Sequence, residues 1–415
     1  MTEWKVPLFD LDLGTAEYEG VKRVLDSNWL TMGQVTRCFE SAFADYVGVK
    51  HALAVSSGTA AMHLAHIALG LGHGDNVICP SLTFVATANA VLYTGATPIF
   101  ADIASLDDLS ISSDDIESKI KERTKGIVVV HYAGFPCNMN RIMEIAKDHD
   151  LFVVEDAAHA AGAEYGNSRL KAASLKRERE GSGPQAPGPR LNGGQRSRVK
   201  KHTCKLGTIG DIGCFSFFGN KNMTTAEGGM VVTNRDDLAE RIRIARSHGM
   251  TSLTWDRYKG HDFSYDVVGA GFNYRIDELR SSLGIVQLGK LDRNNRRRRV
   301  LWMRYKERLE GMEEIKVPFS KSHGISSYHI LPVLLSERVN RERFMAYLRR
   351  QGIQTSIHYP PIHLFSYYKG LLPHSSGLPL TEDVGGREVT LPLFPAMEEQ
   401  DVNYVVDAVK DFLSR

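Results

Sequence analysis

Short, unbroken apolar runs recur through the first part of the chain: Val77-Ile78-Cys79, Pro98-Ile99-Phe100, Ile127-Val128-Val129-Val130 and Leu151-Phe-Val-Val154. Such runs predict strands buried on both faces, because a strand with one wet face alternates apolar and polar residues. Between them lie stretches of helical character such as Asn140 to Asp148, and this alternation predicts βαβ units built on a largely parallel sheet. Further upstream, His51 to Ser57 reads as a strand, Gly58 as a turn, and Thr59 to Leu69 as a helix with apolar residues three and four apart. After about Met250 the pattern changes to a long helix around Arg275 to Leu291, continuing into Arg296-Arg297-Arg298-Arg299, and then to mixed strands and helices as far as Arg415. The expected fold is α/β. A large domain, residues 1–250, carries a mostly parallel central sheet covered by helices, and a long helix joins it to a smaller C-terminal α+β domain, residues 251–415.

The apolar run Leu151–Val154 ends in adjacent carboxylates, Glu155 and Asp156, followed by Ala157-Ala158-His159. In open α/β sheets ligands bind at the C-terminal ends of the strands, so a carboxylate at that edge is well placed to meet one. Asp156 suits the ring nitrogen of pyridoxal phosphate, where a negative partner keeps the nitrogen protonated, and His159 suits the phenolic oxygen of the same ring. The plainer alternative makes Asp156 a helix cap and His159 a packed helical residue.

Lys221 sits between two apolar segments, in Phe215-Ser216-Phe217-Phe218-Gly219-Asn220-Lys221 and ahead of Glu227-Gly228-Gly229. A partly desolvated amine on a turn between strands loses its proton near neutral pH, which is what a Schiff-base lysine needs. A lysine that merely snorkels from a strand end would read the same way in isolation. Gly58 and Thr59 lie where the predicted helix begins. Its free amides and the positive end of its dipole favour a phosphate there, with the Thr59 hydroxyl as a further donor.

In order along the chain, Ser57-Gly58-Thr59-Ala60-Ala61, Leu82-Thr83-Phe84-Val85-Ala86-Thr87, Glu155-Asp156-Ala157-Ala158-His159-Ala160 and Phe215-Ser216-Phe217 with Lys221 closely resemble the DegT/DnrJ/StrS aminotransferases. These are fold-type I pyridoxal-phosphate enzymes that aminate keto-sugars. His131-Tyr132-Ala133-Gly134, Gly271-Phe272-Asn273-Tyr274-Arg275 and His358-Tyr359-Pro360-Pro361 add to the match, which runs from about Val6 to the C-terminal helix. The resemblance implies that Lys221 holds the cofactor, pyridoxal 5'-phosphate, and then shuttles a proton, while Asp156 pairs with its ring nitrogen. It further implies that Phe84 lies against the ring, that Gly58, Thr59 and Ser216 hold the phosphate, and that Asn273 reaches the phosphate of the neighbouring subunit in a homodimer with shared sites. The implied substrates are an amino donor, L-glutamate, and a keto-sugar nucleotide. The surroundings of His131, His159 and His358 look most like enzymes acting at C4 of a 4-keto-6-deoxyhexose, and a cyclitol ketone is the runner-up. Related dehydratases carry His in place of the lysine, so Lys221 argues against that reaction. The full set of Lys221, Asp156, Thr59 and Ser216 argues against a silent regulator.

Composition narrows the field further. With 415 residues, 42% hydrophobic and 24% charged, the chain can bury a large core. A net charge of +2 gives no general reason to bind nucleic acid or a membrane. Cys38, Cys79, Cys137, Cys204 and Cys214 form no CxxC pair, so neither a disulfide framework nor a metal site is expected. The polar N-terminus does not read as a signal peptide and no apolar run reaches the roughly 18 residues of a membrane span, which together suggest a cytoplasmic protein. The run Arg296–Arg299 offers either contacts to nucleotide phosphates or, preferably, a solvated helix face. One segment departs from the family pattern. Arg169 to Cys204, rich in Gly, Pro and basic residues, is expected to be a mobile surface insertion, and it lacks the aromatics that stack on nucleic-acid bases.

Overall fold

A computed structural model describes residues 4–166, 203–252, 264–372 and 377–415. In chain order its strands are β1 (His51–Val55), β2 (Asn76–Pro80), β3 (Thr97–Ala101), β4 (Thr124–Val130), β5 (Phe152–Asp156), β6 (Glu164–Gly166), β7 (Thr203–Lys205), β8 (Ile212–Ser216), β9 (Gly229–Thr233), β10 (Ile315–Lys316), β11 (Gly324–Ile325), β12 (Leu331–Leu335) and β13 (Glu388–Leu391). Seven of them form the main sheet in the order β1-β9-β8-β5-β4-β2-β3. Neighbours from β8 to β3 are parallel, and only β9 runs against the rest. The α/β class and the mostly parallel sheet are as expected from the apolar runs.

Burial on both faces follows from the pleat, because successive side chains point to opposite sides. In β4, Ile127 and Val129 join the core on one face while Val128 joins the other, and Val153 and Val154 of β5 divide in the same way. The first face is closed by the helices Gln34–Val47 and Met139–Asp148, through Phe39, Phe43, Met139, Ile142 and Ile145. The second is closed by the helices Gly58–Ala68, Ala86–Leu92 and Asp236–Ala245. A third core surrounds the antiparallel sheet β10-β12-β13 and takes in Val6, Leu82, Tyr132 and Phe135 from earlier in the chain.

The long helix is Glu278–Leu309, 32 residues. It starts three residues later than the periodicity suggests because Asp277 caps it, accepting from the Arg280 amide at 2.8 Å. The arginine run it carries is not a uniformly solvated face. Arg298 is buried and donates to the carbonyls of His329 at 3.1 Å and Leu393 at 2.7 Å, and Arg297 donates to the Met397 carbonyl at 2.7 Å. Arg296 and Arg299 are exposed. A charge run is solvated only where no loop packs on it, and here the segments before β12 and after β13 end in carbonyls that need donors.

The expected insertion at 169–204 lies outside the described residues apart from Thr203 and Cys204. Its flanks are paired with each other, Glu164 with Lys205, Tyr165 with Cys204 and Gly166 with Thr203. Cys38, Cys79, Cys137 and Cys214 form no disulfide. Among the described residues no helix is long and apolar enough to cross a membrane, and no cluster of His, Cys, Asp or Glu suits a metal ion.

Glu278 ties the two ends of the large helical layer together. Its buried carboxylate accepts from the amides of Gly33 at 2.8 Å, Val35 at 2.7 Å and Thr36 at 2.8 Å, and from the Thr36 hydroxyl at 2.6 Å. These are the donors left open at the start of the helix Gln34–Val47. Glu278→Ala strands several of them, and unfolding measured by urea titration should show a loss of about 2–4 kcal/mol, with Glu278→Gln losing less.

Candidate active site

Four strands deliver the site at one edge of the sheet. The C-terminal ends of β1, β4, β5 and β8, with the start of the antiparallel β9, surround a cavity of about 370 Å3. Its walls include Ser57, Gly58, Thr59, Phe84, Asp156, His159, Ser216 and Lys221. The cofactor-site residues expected from the sequence are therefore gathered in one place, except Asn273.

The helix Gly58–Ala68 begins where β1 ends. Ser57 caps it, accepting from the Ala60 amide at 3.1 Å, so Gly58 and Thr59 are its first two residues, whose amides have no carbonyl one turn earlier to bond. Glycine is required at position 58 because a Cβ there would lie 2.8 Å from Cβ of Ser216. That close approach brings the helix N-terminus and the Ser216 hydroxyl together as one anion-binding corner.

Asp156 ends β5 and is buried. Its carboxylate accepts from the Thr87 hydroxyl at 2.9 Å and from the Ala158 amide at 3.1 Å. Burial raises its pKa above the usual carboxylate range, against the opposing pull of the Ala158 amide, the Thr87 hydroxyl, Lys221 and His131. A positive group placed against it would reverse that balance and favour the charged form. The neighbouring carboxylate has a different task. Glu155 points to the opposite face, where it accepts from the amides of Gly207 at 2.8 Å, Ile209 at 2.6 Å and Gly210 at 2.6 Å and meets His131 Nε2 at 2.9 Å. His131, whose motif the family match includes, is thus a buried partner of Glu155 and is not part of the cavity wall.

Lys221 lies in the loop between β8 and β9. The Phe217 amide bonds the Gly228 carbonyl at 2.9 Å, the Thr225 amide bonds the Phe217 carbonyl at 2.9 Å, and the Lys221 amide bonds the Phe218 carbonyl at 3.0 Å. Next to it, buried Asn222 donates to Asn295 Oδ1 at 2.7 Å and to the Ser327 carbonyl at 2.8 Å, anchoring the turn to the long helix and the C-terminal region. Burial lowers the pKa of the amine from 10.5 to about 8, with Asp156 pulling the other way. The neutral, nucleophilic amine is then present at mildly alkaline pH, two to three units below an ordinary lysine. The rate at which an aldehyde attaches to the cofactor-free protein at Lys221 should rise with pH to a midpoint near 8, measured by absorbance in stopped flow.

Residues 12–410 match the family described as DegT/DnrJ/EryC1/StrS aminotransferases. The chain belongs to that family. It is 33% identical over 410 residues to the GDP-perosamine synthase of Escherichia coli O157:H7, covering 99% of each chain. The fold matches Helicobacter pylori PseC, an aminotransferase involved in the biosynthesis of pseudoaminic acid, with a TM-score of 0.84, 29% identity and full coverage of both chains. It also matches the PLP form of a putative sugar aminotransferase, Spr1654 from Streptococcus pneumoniae, with a TM-score of 0.82, 26% identity and coverage of 98% of this chain and 97% of that one; its PMP form matches equally well.

The remaining positions in this aminotransferase refine the sequence expectations. Phe84 is 56% exposed at the cavity mouth, its ring 5.9 Å from that of Tyr359. Asn273 is exposed, its backbone bridged to Ser247, and it does not line the cavity of its own chain. Of His358-Tyr359, both side chains line the cavity. His358 is held by Thr390 Oγ1 at 2.9 Å and, through its amide, by buried Glu388 at 2.8 Å. Burial lowers the His358 imidazole to about 4, leaving it neutral near pH 7, and raises the Glu388 carboxyl to about 8. The sequence pattern does not single out Asn220, which lines the cavity with its buried Oδ1 without a partner among the described residues.

Proposed function

We propose that this protein is a pyridoxal-phosphate-dependent aminotransferase that moves an amino group from L-glutamate to a keto-sugar nucleotide, at C4 of a 4-keto-6-deoxyhexose. The observation that carries the proposal is the meeting of Lys221 and Asp156 on one cavity whose third wall is a helix N-terminus. The residues fit the cofactor. Open amides at Gly58 and Thr59 with the Ser216 hydroxyl suit a phosphate, buried Asp156 suits a protonated ring nitrogen, and the buried, unpartnered Nδ1 of His159 suits a ring oxygen.

When bound, pyridoxal phosphate supplies a ring that takes up electrons from the carbon losing its proton. The chain does the rest. Lys221 would hold the cofactor through its amine and, when that amine is free, would take up a proton and give it back; a pKa of about 8 suits a group that must do both. Asp156 would face the ring nitrogen, whose positive charge would favour the carboxylate form, and the Thr87 hydroxyl and Ala158 amide fix the carboxylate's orientation. Phe84 and Tyr359 narrow the mouth of the cavity.

A nucleotide-linked acceptor is supported by the similarity to the synthase named for GDP-perosamine. The test is an assay with L-glutamate and a panel of UDP-, dTDP- and GDP-linked keto-sugars, reading formation of the amino sugar together with 2-oxoglutarate. Amination of a 4-keto-6-deoxy sugar nucleotide is the expected result. Amination of a keto-cyclitol alone, with every nucleotide sugar refused, would overturn the substrate assignment.

We further propose a homodimer in which Asn273 serves the neighbouring chain's phosphate, since it is exposed and does not line its own cavity. In a mixed dimer with Lys221→Ala in one chain and Asn273→Ala in the other, one site would then carry both defects and the other none. Cofactor should therefore be retained at wild-type affinity by half of the sites; two singly defective sites would contradict the shared arrangement.

A further inference from the structure

The cavity wall contains one histidine whose two ring nitrogens are treated differently. His159 Nε2 meets the Tyr359 hydroxyl at 3.0 Å, whereas Nδ1 is buried with no partner among the described residues. A neutral imidazole carries one hydrogen, and which nitrogen holds it is decided by the bond the other nitrogen makes. We infer that Tyr359 is a positioning residue that sets the tautomer of His159, donating its phenolic proton to Nε2 so that Nδ1 carries the hydrogen and offers a donor to the cavity.

The direction of the bond follows from what surrounds it. His159 Nε2 is the hydrogen-bond partner the structure gives the Tyr359 hydroxyl. Of the two groups the phenol O–H is the stronger donor and the bare imidazole nitrogen the stronger acceptor, so the bond runs from the Tyr359 hydroxyl to Nε2 and the ring hydrogen stays on Nδ1. The proton does not leave the phenol, because burial and the nearby Asp156 and Glu388 carboxyls hold the Tyr359 pKa far above its ordinary value. Nor does the imidazole take a second proton, since burial, with Lys221 and His358 close by, keeps His159 neutral.

His329, whose ring centroid is 4.3 Å from that of His159, does not compete for these bonds. Its Nδ1 is engaged by the Asn222 side-chain oxygen at 2.7 Å. The His159 backbone is fixed as well, its carbonyl accepting from the Ser327 hydroxyl at 2.5 Å. The His159 and Tyr359 rings lie 28° from parallel at 6.0 Å. An Nδ1–H donor suits an anionic oxygen, and in this site the phenolic oxygen of the cofactor is that partner. This identification rests on the proposed function; the tautomer does not.

Nitrogen NMR of the cofactor-free protein labelled with 15N-histidine tests the tautomer, with the His159 signals identified by their loss in His159→Gln. The expected result is a protonated Nδ1 and a bare Nε2 in the wild type. In Tyr359→Phe the two tautomers should mix, and the dissociation constant for pyridoxal phosphate should rise by about three- to tenfold. A protonated Nε2 in the wild type would overturn the inference, and so would an unchanged tautomer in Tyr359→Phe, which is the outcome if Tyr359 only packs. Should that variant fail to fold, the wild-type spectrum still decides. Failure to bind pyridoxal phosphate with Nδ1 protonated as expected would support the tautomer inference and count against the proposed function.

Discussion

Replacing Lys221 by alanine should lower amino transfer by at least about 10²- to 10⁴-fold, the range associated with removing a positioned proton carrier. The loss should appear in the glutamate half-reaction, followed by the absorbance of the bound cofactor, before any sugar is added. Cofactor binding need not vanish with it. The phosphate corner at Gly58, Thr59 and Ser216 and the Asp156 carboxylate lie outside the loop that carries Lys221, so Lys221→Ala should retain cofactor reversibly and release it on dialysis. Lys221→Arg should be equally inactive, since a guanidinium does not lose its proton at working pH.

Asp156→Asn is expected to produce the second largest loss while leaving the protein folded. A carboxylate beside a titrating nitrogen shifts its pKa by about 1–3 units, so the amide should cost roughly tenfold to a thousandfold in turnover. The variant keeps an oxygen for the Ala158 amide, its NH2 can donate to the Thr87 hydroxyl, and a buried ionisable group is lost, which is why its unfolding midpoint should stay near that of the wild type. Asp156→Glu separates charge from position. It restores the charge but pushes it one methylene further into the site, and partial recovery of activity at unchanged stability is expected.

The parts of the molecule that a local pattern specifies were legible in the chain. The unbroken run ending at Glu155-Asp156 identified a doubly covered strand, and the Ser57-Gly58-Thr59 junction identified a helix start, because both depend on neighbours within a few residues. The flanks of Lys221 placed it between two strands, as found. What the pattern did not specify depends on contacts between distant positions. Nothing near Arg298 reveals that carbonyls of His329 and Leu393 will need its guanidinium. The two adjacent carboxylates look alike in sequence, but the pleat of β5 turns Asp156 to the cavity and Glu155 to the Gly207–Gly210 turn. The Tyr359 to His159 bond joins residues 200 positions apart, and His131 could be told from a cavity residue only once its Glu155 partner was in place.

Borohydride reduction of the protein loaded with pyridoxal phosphate, followed by peptide mass mapping, tests the central claim most directly, since it asks which amine in the chain holds the cofactor. The account expects a single modified peptide containing Lys221, with labelling suppressed when excess L-glutamate is present before reduction. Cofactor fixed to another lysine, with Lys221 unmodified, would contradict it.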